Sequence, residues 1–291
     1  MRHGFALVLL LVACSSDSGK SGNQPDAPGG GSGSNGSGGG SATSIKTIRM
    51  NQPTNGAMVS LKGVVVTGHV TSKKYGHVWV QDAGGGTYSG IQLYCNYGGT
   101  HPNCTMTQQQ IDALAVGTVV DVTGSFSSFL LSTAPAGAQP NLEIDAPTIT
   151  ATGATMTPTA VDVDAATVAK GQLASTAADP YKGAYVHVTG GPFHVSSTTP
   201  TEYVSTCTGS NGSAGTAYNG FEATGGTQTL ALGLGFYNTV TFCLPSCGYP
   251  CANPVTNQTW TNVSGIVEPE YNGSNAQVYL QISPTTDGDL H

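Results

Sequence analysis

The sequence predicts an all-β protein destined for export, and three observations lead there. Only 9% of its 291 residues are charged, against roughly 25% in an ordinary domain. β-branched runs with period-two alternation recur between clusters of Gly, Pro and Asn, the pattern of short strands joined by turns. Seven cysteines are present, and six remain once Cys14 is set aside; an even number in an exported chain reads as disulfides. A hydrophobic share of 38% suffices for a packed core, and a net charge of -7 argues against a basic nucleic-acid-binding chain.

The first element is an address. Arg2 precedes an apolar run from Phe5 to Ala13, with Cys14 directly after it. This is the layout of a secretory signal, and the run is too short for a bilayer span of about 20 residues. Leu11-Val12-Ala13-Cys14 resembles a bacterial lipobox. That resemblance implies cleavage before Cys14, a diacylglycerol on its thiol and an acyl chain on its new amine. More than one chain is what stable anchoring takes. Ser15 after the cysteine, by resemblance to enterobacterial sorting, points to the outer membrane or cell surface of a Gram-negative bacterium. Residues 15–43 hold almost no apolar side chains. They are expected to form a disordered tether with a reach of roughly 30 Å.

From Ile45 onward strands and turns are expected. Val64–Val70 is a β-branched run, His77–Asp82 alternates, and Asp82-Ala83-Gly84-Gly85-Gly86 is a turn by composition. Tyr88–Tyr94 returns as a third strand. Thr107 with Gln110 makes a capping box, with Met106 and Ile111 at staple positions, so a helix is expected over Gln108–Ala115, stopping at Gly117. Thr118–Gly124, Phe126–Ser132 and Asn141–Ile144 complete the sheet. In this order, Val78-Trp79-Val80-Gln81-Asp82, a Gly turn, a third strand, a helix and Val116-Gly117-Thr118-Val119-Val120-Asp121-Val122-Thr123-Gly124 are similar to the OB-fold-like units that accompany secreted bacterial nucleases. The resemblance covers about residues 45–150 and implies a five-stranded barrel with a helix between its third and fourth strands.

The second half repeats the pattern more loosely. Tyr181–Gly190 echoes the stretch from Leu61, Trp260–Val267 echoes Val119–Gly124, and Val278–Ile282 is a closing strand. The units resembled end in a Pro-Arg-x-x-Asp-Leu-like tail, and here a Thr stands in place of the Arg. The expected organisation is a signal peptide over 1–13, the lipidated Cys14 and tether over 14–43, and a first OB-like unit over 44–156. A linker over 157–182 follows, with a short helix from Val161 to Lys170, and then a second, disulfide-containing OB-like unit over 183–291. Cys95 and Cys104 flank a Gly/Pro/Asn loop and are expected to pair. Cys247–Cys251 and Cys207–Cys243 is one arrangement of the rest, and sequence leaves it open. A metal site of Cys243, Cys247 and Cys251 is the competing reading; Pro245 and Pro250 exclude a regular helix presenting all three.

No enzyme motif stands out. No Ser sits in Gly-x-Ser-x-Gly, no phosphate loop carries its Lys, and no histidine pair has metalloprotease spacing. His69 and His77 lie on consecutive strands, where they could face one another, and read as ordinary strand histidines; so do His187 and His194. Carboxylate pairs spaced by two occur at Asp162/Asp164, Glu268/Glu270 and Asp287/Asp289. On a strand that spacing puts both on one face. Calcium at Glu268, Glu270, Asp287 and Asp289 is the cofactor such pairs would hold, and a hydrolase using paired carboxylates is the catalytic alternative. Solvated turns explain them as well.

Trp79, Tyr88 and Tyr94 are expected on strands of the first unit, beside Lys73 and Lys74 in a rim hairpin. OB folds bind oligonucleotides and oligosaccharides on the face of strands two and three. The first unit balances five basic residues against five acidic ones, and no Lys or Arg follows Lys182. Because Lys/Arg contacts to phosphate supply most non-specific affinity, nucleic acid is disfavoured. The reading is a non-catalytic, membrane-anchored protein that binds a glycan or an envelope protein. A nucleic-acid-binding accessory role using Trp79, Lys73 and Lys74 is the alternative.

Overall fold

The structure is a computed structural model, and it describes residues 43–71, 75–97, 103–130, 136–197, 204–208, 214–218, 220–233, 258–271 and 278–291. Cys14, Lys73, Lys74, Cys243, Cys247, Cys251 and the expected tether lie outside these. Cys207, Glu270 and Asp287 are described by their backbone alone.

The chain is all-β, with short helical pieces. Five strands form a closed barrel: β1 (Met58–Thr71), β2 (Tyr75–Gln81), β3 (Gly90–Asn96), β4 (Thr118–Phe129) and β5 (Asn141–Thr155), in the order β1-β2-β3-β5-β4. β3 and β5 run parallel, and the other neighbours are antiparallel. This is the OB arrangement. The alternation seen in sequence sends Val78, Val80, Ile91, Leu93, Leu142 and Ile144 inward, where they pack on Phe126 and Val122. Fully burying each such side chain is worth about 1.5–3 kcal/mol.

β1 is long enough to pair with both neighbours because it bends. Its register shifts between Leu61 and Val64 and again between Val66 and Gly68, and such bulges increase local twist. The second shift changes which residues face inward. His69 opposes Val78 and is buried among the core strands, whereas His77 opposes Val70 and sits on the other face. The two histidines therefore do not face one another.

Two helices flank the barrel. α1 (Ile45–Asn51) occupies a stretch where strand was expected. Ser44 caps it by accepting from the Thr47 N–H, and Asp82 accepts from the N–H groups of Ile45 and Lys46 at 3.0 and 3.2 Å. Its buried residues Ile45 and Ile48 have helical spacing, too short a signal to outweigh the surrounding β pattern. α2 (Gln108–Asp112) has the expected capping box, with Met106 and Ile111 on the barrel core. The Cys95–Cys104 disulfide ties β3 to the segment leading into it.

The second half carries the same strand order in a different guise. Eight strands form one curled sheet, ordered β13-β8-β11-β12-β15-β14-β7-β6: β6 (Val161–Asp164), β7 (Tyr185–Thr189), β8 (Phe193–Ser197), β11 (Gly220–Gly225), β12 (Gln228–Gly233), β13 (Thr259–Trp260), β14 (Val263–Tyr271) and β15 (Val278–Ser283). β9 (Val204–Thr208) and β10 (Ala214–Tyr218) form a separate hairpin. β7 and β8 are consecutive, separated by Gly190-Gly191-Pro192. Taken together they correspond to β1, since β7 pairs with β14 and β8 with β11. β12 and β15 then run parallel, as β3 and β5 do. The ring is completed by chain continuity at a Gly-Gly-Pro break instead of by one bulged strand. Pro lacks the N–H that an unbroken ladder needs.

The expected helix from Val161 to Lys170 is only part helix. Val161–Asp164 joins the sheet beside β7, Asp164 then caps α3 (Ala165–Val168), and Val163, Ala165 and Val168 enter the second core. The stretch before the second barrel is thus built into it.

The barrels meet along a polar join. Arg49, on α1, is 4% exposed. Its guanidinium donates to the carbonyls of Gly90, Lys182 and Asp179. Gln81 donates to Thr159 O and accepts the Tyr185 N–H. Between these lies a backbone-to-backbone contact: a Cβ on Gly90 would stand 1.9 Å from Gly183 O. Gly90→Ala should therefore cost at least the 1–3 kcal/mol typical of overpacking, about. Gly84→Ala, where no atom lies within 4 Å, should stay within about 0.5 kcal/mol of wild type. Urea unfolding of the two variants measures the difference. Removing the 9-residue disulfide loop with Cys104→Ser should cost about 2–3 kcal/mol in the same assay.

Candidate functional site: the outer face of the first barrel

Side chains that point away from the first core make two rows across four strands. Register aligns Trp79, Gln92, Glu143 and Ser127 in one row, and His77, Tyr94, Asp145 and Ser125 in the next. Asn141, two residues before Glu143 and so on the same face, joins them. This is the face of strands two and three, extended across β5 and β4.

The polar groups are wired together. Gln92 is 8% exposed; its amide N lies 2.6 Å from His77 Nδ1, and its Oε1 accepts from Asn141 Nδ2 at 2.7 Å. His77 therefore presents Nδ1 as an acceptor to the Gln92 amide. Burial pushes its pKa down to about 4, so the ring is neutral at neutral pH. The Tyr94 ring meets it edge-on at 5.3 Å. Glu143 is 7% exposed, and its carboxyl accepts a long 3.5 Å bond from Ser127. Burial first, and Asp145 second, push Glu143 up to about 7. Asp145 is also raised, mainly by burial, and its Oδ1 is buried with no hydrogen-bond partner. The face thus offers amide donors and acceptors, a neutral imidazole, a phenol ring and two carboxyls whose pKa burial raises. No Lys or Arg appears in either row.

The second barrel also brings a Glu, a Gln and a Ser together, on β14 and β15. Glu268 opposes Gln281 and accepts from its amide at 2.8 Å, and it also accepts from the Ser283 hydroxyl. Gln281 and Ser283 are buried, and burial pushes Glu268 up to about 7. Glu268 thus accepts two bonds on one oxygen, whereas Glu143 in the first barrel has only the long Ser127 bond.

The three aromatics singled out from sequence part company. Tyr94 stays on the outer face. Trp79 is 3% exposed and packs against Ile266 and Tyr185 of the second barrel, so its ring is covered and offers no surface for a base or sugar to stack on. Tyr88 lies in the turn before β3 with a positive φ; its N–H donates to Pro180 O, and the Arg49 guanidinium lies 5.3 Å from its ring. Both belong to the join.

The acidic pairs fare similarly. Both oxygens of Asp289 are engaged: Oδ2 accepts from Thr285 N, Thr285 Oγ1 and Thr286 N, and Oδ1 from Tyr185 OH at 2.6 Å. It latches the C-terminal segment. Glu268 is bound within its own sheet. Asp162 pairs with His187, and Asp164 caps α3. Among the described residues, no group of three or more His, Cys, Asp or Glu is placed to hold a metal.

Among the described residues, Arg49 and Lys182 are buried in the join, Lys62 pairs with Asp121, Lys170 pairs with Glu222, and Lys46 is exposed on α1. His77, Gln92, Asn141, Glu143 and Asp145 carried no motif in sequence. Strand periodicity could have grouped His77 with Trp79, and Glu143 with Asp145, but only the β3–β5 pairing brings the two sets together.

No family model matches this chain, and no curated protein matches it. Similar solved structures include a murine DNA binding protein bound with double-stranded DNA, 9% identical, covering 78% of this chain and 90% of that one at a TM-score of 0.26. Another is a replication protein A heterotrimer bound to single-stranded DNA, 10% identical, covering 84% of this chain and 68% of that one at a TM-score of 0.22. The fold assignment rests on strand order and register.

Glu143 predicts a pH dependence. Its folded pKa of about 7 lies above its ordinary 4.5. Between those values the native state binds more protons, so this group's contribution makes stability fall as pH rises through that window. Glu143→Gln should abolish that part, on the order of 2–3 kcal/mol, in denaturant unfolding compared at pH 4.5 and pH 8.

Proposed function

We propose that this chain is a non-catalytic binding protein, held to a membrane by lipid on Cys14, that takes a neutral glycan on the outer face of its first barrel. One observation carries the reading. The row Gln92–Glu143–Ser127, with His77, Tyr94 and Asn141 beside it, is rich in hydrogen-bonding groups and has no cation. A sugar ring offers hydroxyls that both donate and accept, matching amides and carboxyls, and C–H faces that lie against a phenol ring. A phosphodiester would meet Glu143 and Asp145 with no Lys or Arg in either row to neutralise it. An envelope protein is the other ligand of this reading.

The anchor is the second half of the proposal. Two acyl chains on Cys14 would hold the chain at an outer membrane or cell surface. Residues 15–43, nearly free of apolar side chains, would let the barrels sample ligands within roughly 30 Å.

Isothermal titration of the purified protein with neutral cello- and chito-oligosaccharides tests the ligand. Binding should occur, and Gln92→Ala and Asn141→Ala should each weaken it about tenfold, the worth of one hydrogen bond of roughly 1.4 kcal/mol. Binding of oligo-dT with a steep salt slope, and none of any glycan, would overturn the reading in favour of a nucleic-acid accessory role.

A further inference from the structure

A concave surface lies where the two barrels adjoin, reaching the outer face only through the Tyr185–Trp79 contact. It is a cleft of about 460 Å³, within the range of small-molecule sites. Val116, Gly117 and the segment Thr155–Pro158 line it from the first barrel, and Tyr185, Thr285 and Thr286 from the second.

Its walls are fixed by bonds already formed. Gly117 N donates to Val66 O and Met156 N donates to Gly117 O, both at 2.8 Å, which pins the first-barrel wall. Gly117 has φ +89, and a Cβ there would stand 2.8 Å from Met156 O, so the close approach of these two segments requires glycine. On the other wall, Asp289 receives the N–H groups of Thr285 and Thr286 and the Tyr185 hydroxyl. Tyr185 also packs against Trp79 and Ile266, which holds its ring. Asp289 stands behind this wall, and both its oxygens accept hydrogen bonds. None of the lining side chains is charged.

What remains toward the cleft is chemically mixed. Thr155, Thr157 and Thr286 bring hydroxyls, Tyr185 an aromatic ring, and Val116, Met156 and Pro158 apolar surface. Each hydroxyl can donate or accept. An anion would find no cation in this wall and a cation no free carboxylate. A ligand with hydroxyls around its rim and apolar C–H faces would use both kinds of surface.

We propose that the cleft between the barrels is a second ligand site, for one or two rings of a neutral sugar. This site does not depend on the outer face. Tyr185, held by Asp289, forms one side of the ring slot, and the threonine hydroxyls of both barrels bond the rim. A ligand spanning both walls would bind the two barrels as one body.

Thr157 is exposed and makes no bond the fold needs, so Thr157→Trp fills the cleft without disturbing either core. Cellobiose and N,N′-diacetylchitobiose, at up to about 20 mM to cover weak binding, would be titrated into the ¹⁵N-labelled full chain. The wild type should show shifts at the backbone amides of Gly117, Met156 and Thr286. Thr157→Trp should weaken that response at least about tenfold and leave shifts at Gln92 unchanged. Gln92→Ala should do the reverse. Shifts confined to Gln92 and its neighbours would overturn the cleft site and leave the outer-face reading standing. Shifts at Gly117 and Thr286 that Thr157→Trp does not diminish would also overturn it, as would the absence of any shift in the cleft at the highest concentration.

Discussion

Arg49 brings a charge into the join between the barrels and spends its donors on carbonyls from three places. Gly90 opens β3, and Asp179 and Lys182 lead into β7. Two barrels that meet along backbone edges must satisfy those edges or pay for burying them bare. A guanidinium presents a rigid planar fork of donors, suited to several carbonyls at once. Desolvation works against its charge, and Asp179 works in favour. Around it, Gln81 bridges the barrels with both ends of its amide, and the Gly90–Gly183 contact lets the backbones come close enough for these bonds. The covering of Trp79 and the placing of Tyr88 follow from this join. So does the form of the cleft, whose second wall carries Tyr185.

The join also explains which part of the outer face is open. The second barrel covers the Trp79 end of β2, and the His77 end lies beyond it. The first barrel sets Gln92, Glu143 and Ser127 on β3, β5 and β4, the second sets Glu268 on β14 with Gln281 and Ser283 on β15, and in both the Glu is raised to about 7 by burial. In the second barrel Glu268 accepts two bonds. The first leaves Glu143 with one long bond and Asp145 with an unpartnered oxygen. A buried polar group without a partner is costly, and for that reason we place the proposed ligand beside Glu143 and Asp145.

Much of the architecture was legible because strand alternation is local. Val78-Trp79-Val80 and Thr118–Gly124 formed strands as their period required, and Thr107 with Gln110 capped α2. The last two residues of the phrase ending Gln81-Asp82 carry structural bonds: Gln81 joins the barrels and Asp82 caps α1. α1 was missed because one helical turn of apolar spacing is weak beside a strong β context. The Gly190-Gly191-Pro192 break turned one strand into two, which alternation cannot foretell. The site was less legible than the fold. Trp79 looks the same in sequence whether its ring is bare or covered, and the second barrel decides that. Glu143 and His77 come together only through a parallel pairing between strands about 50 residues apart, for which no local signal exists.

The account stands on the claim that the first barrel's outer face reads neutral hydroxyl groups through its side-chain amides. The most direct measurement follows the side-chain NH₂ resonances of Gln92 and Asn141 by NMR while a chito-oligosaccharide, and separately an oligo-dT, is added at low salt. The account predicts that the glycan shifts both resonances in a saturable way and that the DNA leaves them in place. Resonances that stay still under glycan but move under DNA would contradict it.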